Sequence, residues 1–132
     1  MVRKRHVRNV SLIELTLLCL PTSAYSAEDA ARAIIMDARR GNCIICHEIP
    51  LANVASNAFG NLGPSLAGVG SRLTAAQIKA RIVDPRKFSR ETVMPAYGST
   101  VQLYRVQAAY RGKPILTEQE IDAVVAYLSS LQ

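Results

Sequence analysis

The sequence predicts an all-α domain, and three observations predict it. Two helix-start signatures stand in the second half of the chain, Thr74-Ala75-Ala76-Gln77 and Thr117-Glu118-Gln119-Glu120. Each is a capping box, in which the Thr hydroxyl and the Gln or Glu side chain satisfy free N–H groups of the first helical turn. After each box apolar residues recur at helical spacing: Ile78 with Ile82, then Ile121, Val124, Val125, Leu128 and Leu131. Alternation of apolar and polar residues never runs longer than a few positions, so no strand is expected.

Three helices are expected in order. The first spans about 28–40, with Glu28 and Asp29 in its first turn and Arg39 and Arg40 in its last, the charge order a helix dipole favours. Gly41-Asn42 stops it. The second runs from the Thr74 box to Asp84-Pro85, because a residue before proline is pushed out of the helical region. The third follows the Thr117 box to the end of the chain. Two long irregular stretches, 49–73 and 85–116, lie between them, with a short helix expected near 104–110. Loops of that length are uncommon in a compact domain unless they have a task.

Cys43-Ile44-Ile45-Cys46-His47 supplies the task. Cys-x-x-Cys-His is the attachment sequence for c-type haem. Two cysteines three apart on a helical turn face the same way, so both thiols reach the vinyl groups of one porphyrin. The histidine that follows is placed as an axial ligand to the iron. A structural zinc site would need a fourth ligand beyond this Cys pair and His. A thioredoxin-like redox pair would need a βαβ context, which the pattern lacks.

At 132 residues the chain has room for one domain. Arg3, Lys4, Arg5 and Arg8, then the short apolar run from Val10 to Leu20 and the small residues around Ala24 and Ser26, read as a secretory signal peptide. Residues 1–26 are assigned to it and 27–132 to the mature domain, with cleavage after Ala24 or Ala27 as alternatives. Export points to the periplasm. No lipid or membrane anchor is expected, since the run is short for a span and Leu18 precedes Cys19 where a lipoprotein signal wants a small residue. Cleavage removes Cys19 and His6, so the mature cysteines are both in the haem motif and His47 is the one histidine left. It also halves the net charge of +6, and two haem propionates would offset most of the rest. The basic balance therefore says little of nucleic acid, and no basic-aromatic interleaving suggests it. With no Trp and 2 Phe, the chain is poor in large apolar side chains, a shortage that a bound macrocycle at the centre would make good.

The sixth iron ligand follows by elimination. Met36 and Met94 are the methionines of the mature chain. Met36 lies seven residues before Cys43, too near to cross to the opposite face. Met94 sits in a loop of its own, stiffened by Pro95. His47 and Met94 are thus the expected axial pair, the pairing of electron-carrying c haems. A six-coordinate iron has no vacancy for substrate, so no catalytic residue is assigned. Arg72 is a candidate partner for a propionate, with an exposed arginine the alternative. Lys79, Arg81, Arg86, Lys87 and Arg90 form a basic run, either a docking rim for an acidic partner or a solvated face.

From the N-terminal helix, through Cys-x-x-Cys-His, a Gly-Pro loop and a Met loop, to the C-terminal helix, the mature chain resembles class I c-type cytochromes. The resemblance implies that fold, three or more helices wrapped with long loops around one covalently bound haem c. It also implies that the Pro64 carbonyl, in Gly60-Asn61-Leu62-Gly63-Pro64, accepts the imidazole N–H of His47. More narrowly the chain is similar to the SoxX family, the monohaem subunits of SoxAX complexes in bacterial thiosulfate oxidation. Gly41-Asn42-Cys43, Thr92-Val93-Met94-Pro95-Ala96-Tyr97-Gly98 and Tyr110-Arg111-Gly112-Lys113-Pro114-Ile115-Leu116-Thr117 carry that similarity. It implies a periplasmic heterodimer with a SoxA-like haem subunit, which acts as an L-cysteine S-thiosulfotransferase on the carrier SoxYZ. This chain would receive the electrons and pass them to an acceptor such as a soluble cytochrome c. The alternatives are a freely diffusing cytochrome c between respiratory complexes and a haem sensor or peroxidase with a displaceable Met94.

Overall fold

Ser26 starts the first helix, because its hydroxyl accepts the N–H of Asp29 at 3.0 Å. The structure, a computed structural model, describes residues 26–101 and 106–132. Within them lie four α-helices and no strand: α1 (Ala27–Met36), α2 (Val69–Arg72), α3 (Ala75–Val83) and α4 (Glu118–Ser130). Four 3₁₀ turns, Cys43–Ile45, Ser56–Ala58, Pro85–Lys87 and Ala108–Tyr110, punctuate the connections. The signal-peptide reading of residues 1–25, and the part of the expected 104–110 helix before Val106, lie outside the described residues.

Both expected capping boxes are formed. Thr74 and Gln77 exchange hydrogen bonds at the start of α3, and Thr117 and Glu120 do so at the start of α4. Asp84 ends α3, and its carboxylate then turns back to accept from the Arg86 N–H. The first helix is shorter than expected. It stops at Met36 because the Asp37 carboxylate accepts the Arg39 N–H at 2.8 Å, offering the backbone a turn in place of another helical bond. Arg39 and Arg40 therefore do not serve the dipole of α1, and Arg40 reaches α4 to pair with Glu120. The stretch 49–73, expected to be irregular, ends in the single-turn helix α2.

Helix α4 is the centre of the packing, with α1 and α3 against it and α2 near its C-terminal end. Its buried stripe of Ile121, Val124, Val125 and Leu128 meets Ala31, Ile34 and Ile35 of α1 and Ile78 and Ile82 of α3. Each Val, Leu or Ile side chain among them, once buried, contributes on the order of 1.5–3 kcal/mol. Tyr127 joins them with its hydroxyl donating to the Pro50 carbonyl at 2.7 Å. Among the described residues no helix is long and apolar enough to cross a membrane.

The Arg40–Glu120 pair has a pH signature. Burial pushes the Glu120 carboxyl up, but hydrogen bonds from Thr117 and the charge of Arg40 outweigh it and hold its pKa below the usual value. A carboxylate held lower in the folded than in the unfolded chain stabilises the fold above its unfolded pKa. That contribution is lost as pH falls through the folded pKa. Glu120→Gln keeps the capping group and removes the charge. The variant is expected to lose about 0.2–1 kcal/mol at neutral pH and to show a flatter decline of stability on the acid side. Denaturant unfolding of both holoproteins across acidic pH checks this, and parallel profiles would remove Glu120 from the acid response.

Candidate functional site

Helix α1 hands the chain to the Cys motif through two special residues. Gly41 donates its N–H to the Ile34 carbonyl, and Asn42 takes a left-handed conformation with φ of 46°, which asparagine tolerates better than most residues. The turn Cys43–Ile45 that follows is 3₁₀ in form, with the Cys46 and His47 N–H groups both donating to the Cys43 carbonyl. Residues i and i+3 eclipse in a 3₁₀ turn. Cys43 and Cys46 accordingly line one cavity, together with His47.

That cavity measures about 930 Å³, near the upper end of the roughly 300–1,000 Å³ range for small-molecule and cofactor sites. Its inner wall is the core itself, Ile78 and Ile82 of α3 and Val124 and Leu128 of α4, with Leu116 beside them. Burial in these surroundings pushes the Cys43 thiol up to about 11, and the neighbouring Cys46 adds to the rise against a backbone hydrogen bond. An apolar chamber with two thiols, one imidazole and one thioether on its walls fits a covalent haem. It does not fit a bare cation, and no cluster of His, Cys, Asp and Glu suited to one occurs among the described residues.

The loop 60–66 is laid against the motif by backbone bonds. Gly60, Gly63 and Leu66 donate to the carbonyls of Ile44, Cys46 and Glu48, each at 2.8 Å. Two glycines allow so close an approach. A Cβ on Gly60 would lie 1.8 Å from the Ile45 carbonyl oxygen, and one on Gly63 would lie 2.3 Å from the His47 ring. The result is a 2.8 Å hydrogen bond between His47 Nδ1 and the Pro64 carbonyl. A carbonyl only accepts, so Nδ1 carries the proton and Nε2 keeps its lone pair for a metal. Arg72 fastens the far side of this loop, donating to the Ala67 carbonyl at 2.6 Å and the Ser65 carbonyl at 3.0 Å, and it also lines the cavity. Two of its nitrogens thus serve the backbone, a use the sequence did not suggest.

Met94 is half-buried, packs against the core and lines the same cavity, whereas Met36 is 43% exposed on α1 and does not. Three residues on, Tyr97 is buried, and its hydroxyl donates to the Gly41 carbonyl at 2.6 Å. Burial, reinforced by the nearby Cys43 and Cys46, pushes its phenol far above the usual range, so it stays a donor at any ordinary pH. Around the opening stand Ile45, Leu62, Phe88 and Val93, all lining the cavity and 53–73% exposed. The basic run is largely turned to internal use. Lys79 pairs with Glu118 and Asp122 of α4, Arg81 lies over the Phe88 ring, and Arg86 pairs with Asp84.

Residues 29–132 match the family described as Cytochrome c. Among solved structures, one chain of the crystal structure of SoxXA from P. pantotrophus is similar, at 31% identity and a TM-score of 0.68. The match covers 79% of this chain and 80% of that one. No curated protein matches. An all-helical domain built around an apolar chamber, with Cys43, Cys46 and His47 on its wall, together with that family match, makes the chain a member of the cytochrome c family, an electron carrier with covalent haem c.

Proposed function

We propose that the chain is the electron-transfer subunit of a SoxAX-type complex, accepting electrons from the haem of a SoxA-like partner during thiosulfate oxidation. The observation that carries this reading is the similarity to a SoxXA chain over nearly equal lengths of both proteins. The cavity mouth supports it. Ile45, Leu62, Phe88 and Val93 present apolar surface where electrons would enter or leave, and exposed apolar patches mark lasting contacts. A diffusing carrier is guided instead by charge, and here Lys79, Arg81 and Arg86 are engaged within the fold. A stable pair would bury on the order of 1,200–2,000 Å².

In this reading Cys43 and Cys46 would hold the haem through thioethers, and His47 and Met94 would serve as the iron ligands. The haem supplies one-electron chemistry. Pro64 fixes the His47 tautomer and makes the imidazole a stronger donor. Met94 contributes a soft thioether that favours ferrous iron and raises the potential. With His47 and Met94 both serving the iron, no position would be kept for a substrate. The core aliphatics exclude water, which lessens the solvent rearrangement that accompanies a change of charge. The thiosulfotransferase chemistry on the SoxYZ carrier then belongs to the partner, and a soluble cytochrome c is the expected acceptor. The N-terminal segment directs the chain to the periplasm, and cleavage after Ala24, one of the alternatives, leaves the Ser26 cap of α1 in the mature chain.

Purification of the tagged chain from its host grown on thiosulfate tests the proposal. A second haem protein in equal amount, retained at high salt, is expected. A lone monomeric cytochrome would refute the subunit reading and favour the diffusing carrier.

A further inference from the structure

The loop that carries Met94 is held unequally at its two ends. On the N-terminal side Ser89, Arg90, Glu91 and Val93 are exposed. The Met94 N–H itself bonds only locally, to the Thr92 hydroxyl at 3.2 Å. On the C-terminal side Pro95 stiffens the chain, Ala96 is buried, and Tyr97 is fastened at three points. Its N–H donates to the Ile82 carbonyl of α3 at 3.1 Å, and its carbonyl accepts from the Leu116 N–H at 3.0 Å. Its hydroxyl donates to the Gly41 carbonyl at 2.6 Å, two residues before Cys43. The last bond joins the Met94 loop directly to the segment that carries the haem cysteines.

We infer that Tyr97 is a positioning residue for Met94, its hydroxyl bond to the Gly41 carbonyl setting how readily the thioether leaves the iron. This rests on the assignment of Met94 as a ligand. The hydroxyl touches neither haem nor substrate, so it acts through the loop. The Met94 side chain can rotate by itself, but the thioether moves farthest when the loop moves with it. The loop's N-terminal arm is held by short-range turn bonds, from the Ser89 N–H to the Pro85 carbonyl at 3.1 Å and from the Thr92 N–H to the Ser89 carbonyl at 3.3 Å. The other arm is tied to α3 and to Gly41 and decides how far the thioether can swing. Removing the hydroxyl strands a buried carbonyl at Gly41 and frees the Tyr97 ring to shift with the loop.

The test is cyanide binding to the ferric holoprotein, which must wait for the thioether to leave. Tyr97→Phe is expected to keep the sulfur-to-iron charge-transfer band at neutral pH. It should bind cyanide faster, on the order of tenfold, the factor that about 1.4 kcal/mol gives. An unchanged rate overturns the inference, whether or not the denaturant midpoint falls, since a merely structural bond would move the midpoint alone. Met94→Ala separates the two claims. If it binds cyanide no faster than wild type, the ligand assignment fails. If it is fast while Tyr97→Phe is not, only the role of Tyr97 fails. Should Tyr97→Phe not fold, hydrogen exchange of the wild-type holoprotein decides. The Tyr97 and Leu116 amides are expected to exchange as slowly as those in the middle of α3, and exchange at loop rates overturns the anchor.

Discussion

Alanine at both Cys43 and Cys46 is expected to leave a chain with no cooperative fold. The two thiols face a chamber of about 930 Å³ whose inner wall is also the meeting surface of α3 and α4. At about 24 cal/mol per Å³, a dry void of that size (~930 Å³) would cost on the order of 20 kcal/mol. A domain of this size is stable by only about 5–15 kcal/mol. Water must then flood the chamber, and the apolar faces of Ile78, Ile82, Val124 and Leu128 lose the burial that holds the helices together. Haem attachment and folding are in this sense one event, as in metal-dependent small domains. Far-UV circular dichroism and denaturant unfolding of the double variant measure it. A steep transition with native helix content would show that α1, α3 and α4 hold one another without the cofactor.

The second large effect is at Met94. Met94→Ala leaves Cys43, Cys46 and His47 untouched, so the haem is expected to stay attached with His47 still placed by Pro64. Iron should become accessible to cyanide and carbon monoxide. Its potential should fall on the order of 0.1 V within the roughly 0.8 V that axial ligands span, because a soft thioether no longer favours the ferrous form. Redox titration and ligand binding of wild type and variant give the answer. An unchanged potential and spectrum would show that Met94 is not a ligand. Ready binding of carbon monoxide by the wild type would instead favour the sensor or peroxidase reading.

The expectations that matched the structure have local causes. A capping box is complete within four residues, so Thr74 to Gln77 and Thr117 to Glu120 mark their helices without help from the rest of the chain. Cys43 to His47 is equally short, and its chemistry requires that spacing. That Met36 stays off the cavity wall follows from its short distance along the chain from Cys43. The end of α1 was missed although its cause is local too, because the Asp37 side-chain bond competes with a helix pattern that reads on through Arg40.

The sequence by itself determined that the chain is helical and that it holds covalent haem c. Folding decided the rest. Tyr97 meets Gly41 across 56 residues and Arg40 meets Glu120 across 80. Gly60 and Gly63 look like ordinary turn glycines until the loop lies on Ile45 and His47. Arg72 reads as a propionate partner or an exposed charge, and nothing near it in the sequence shows that the carbonyls of Ser65 and Ala67 lie within its reach. Ile45, Leu62, Phe88 and Val93, spread over 49 positions, become one apolar rim only around the cavity mouth. Local patterns record what a residue does to its own turn. Which distant surface it meets is set by the packing of α4 against α1 and α3, and no short stretch of sequence contains that.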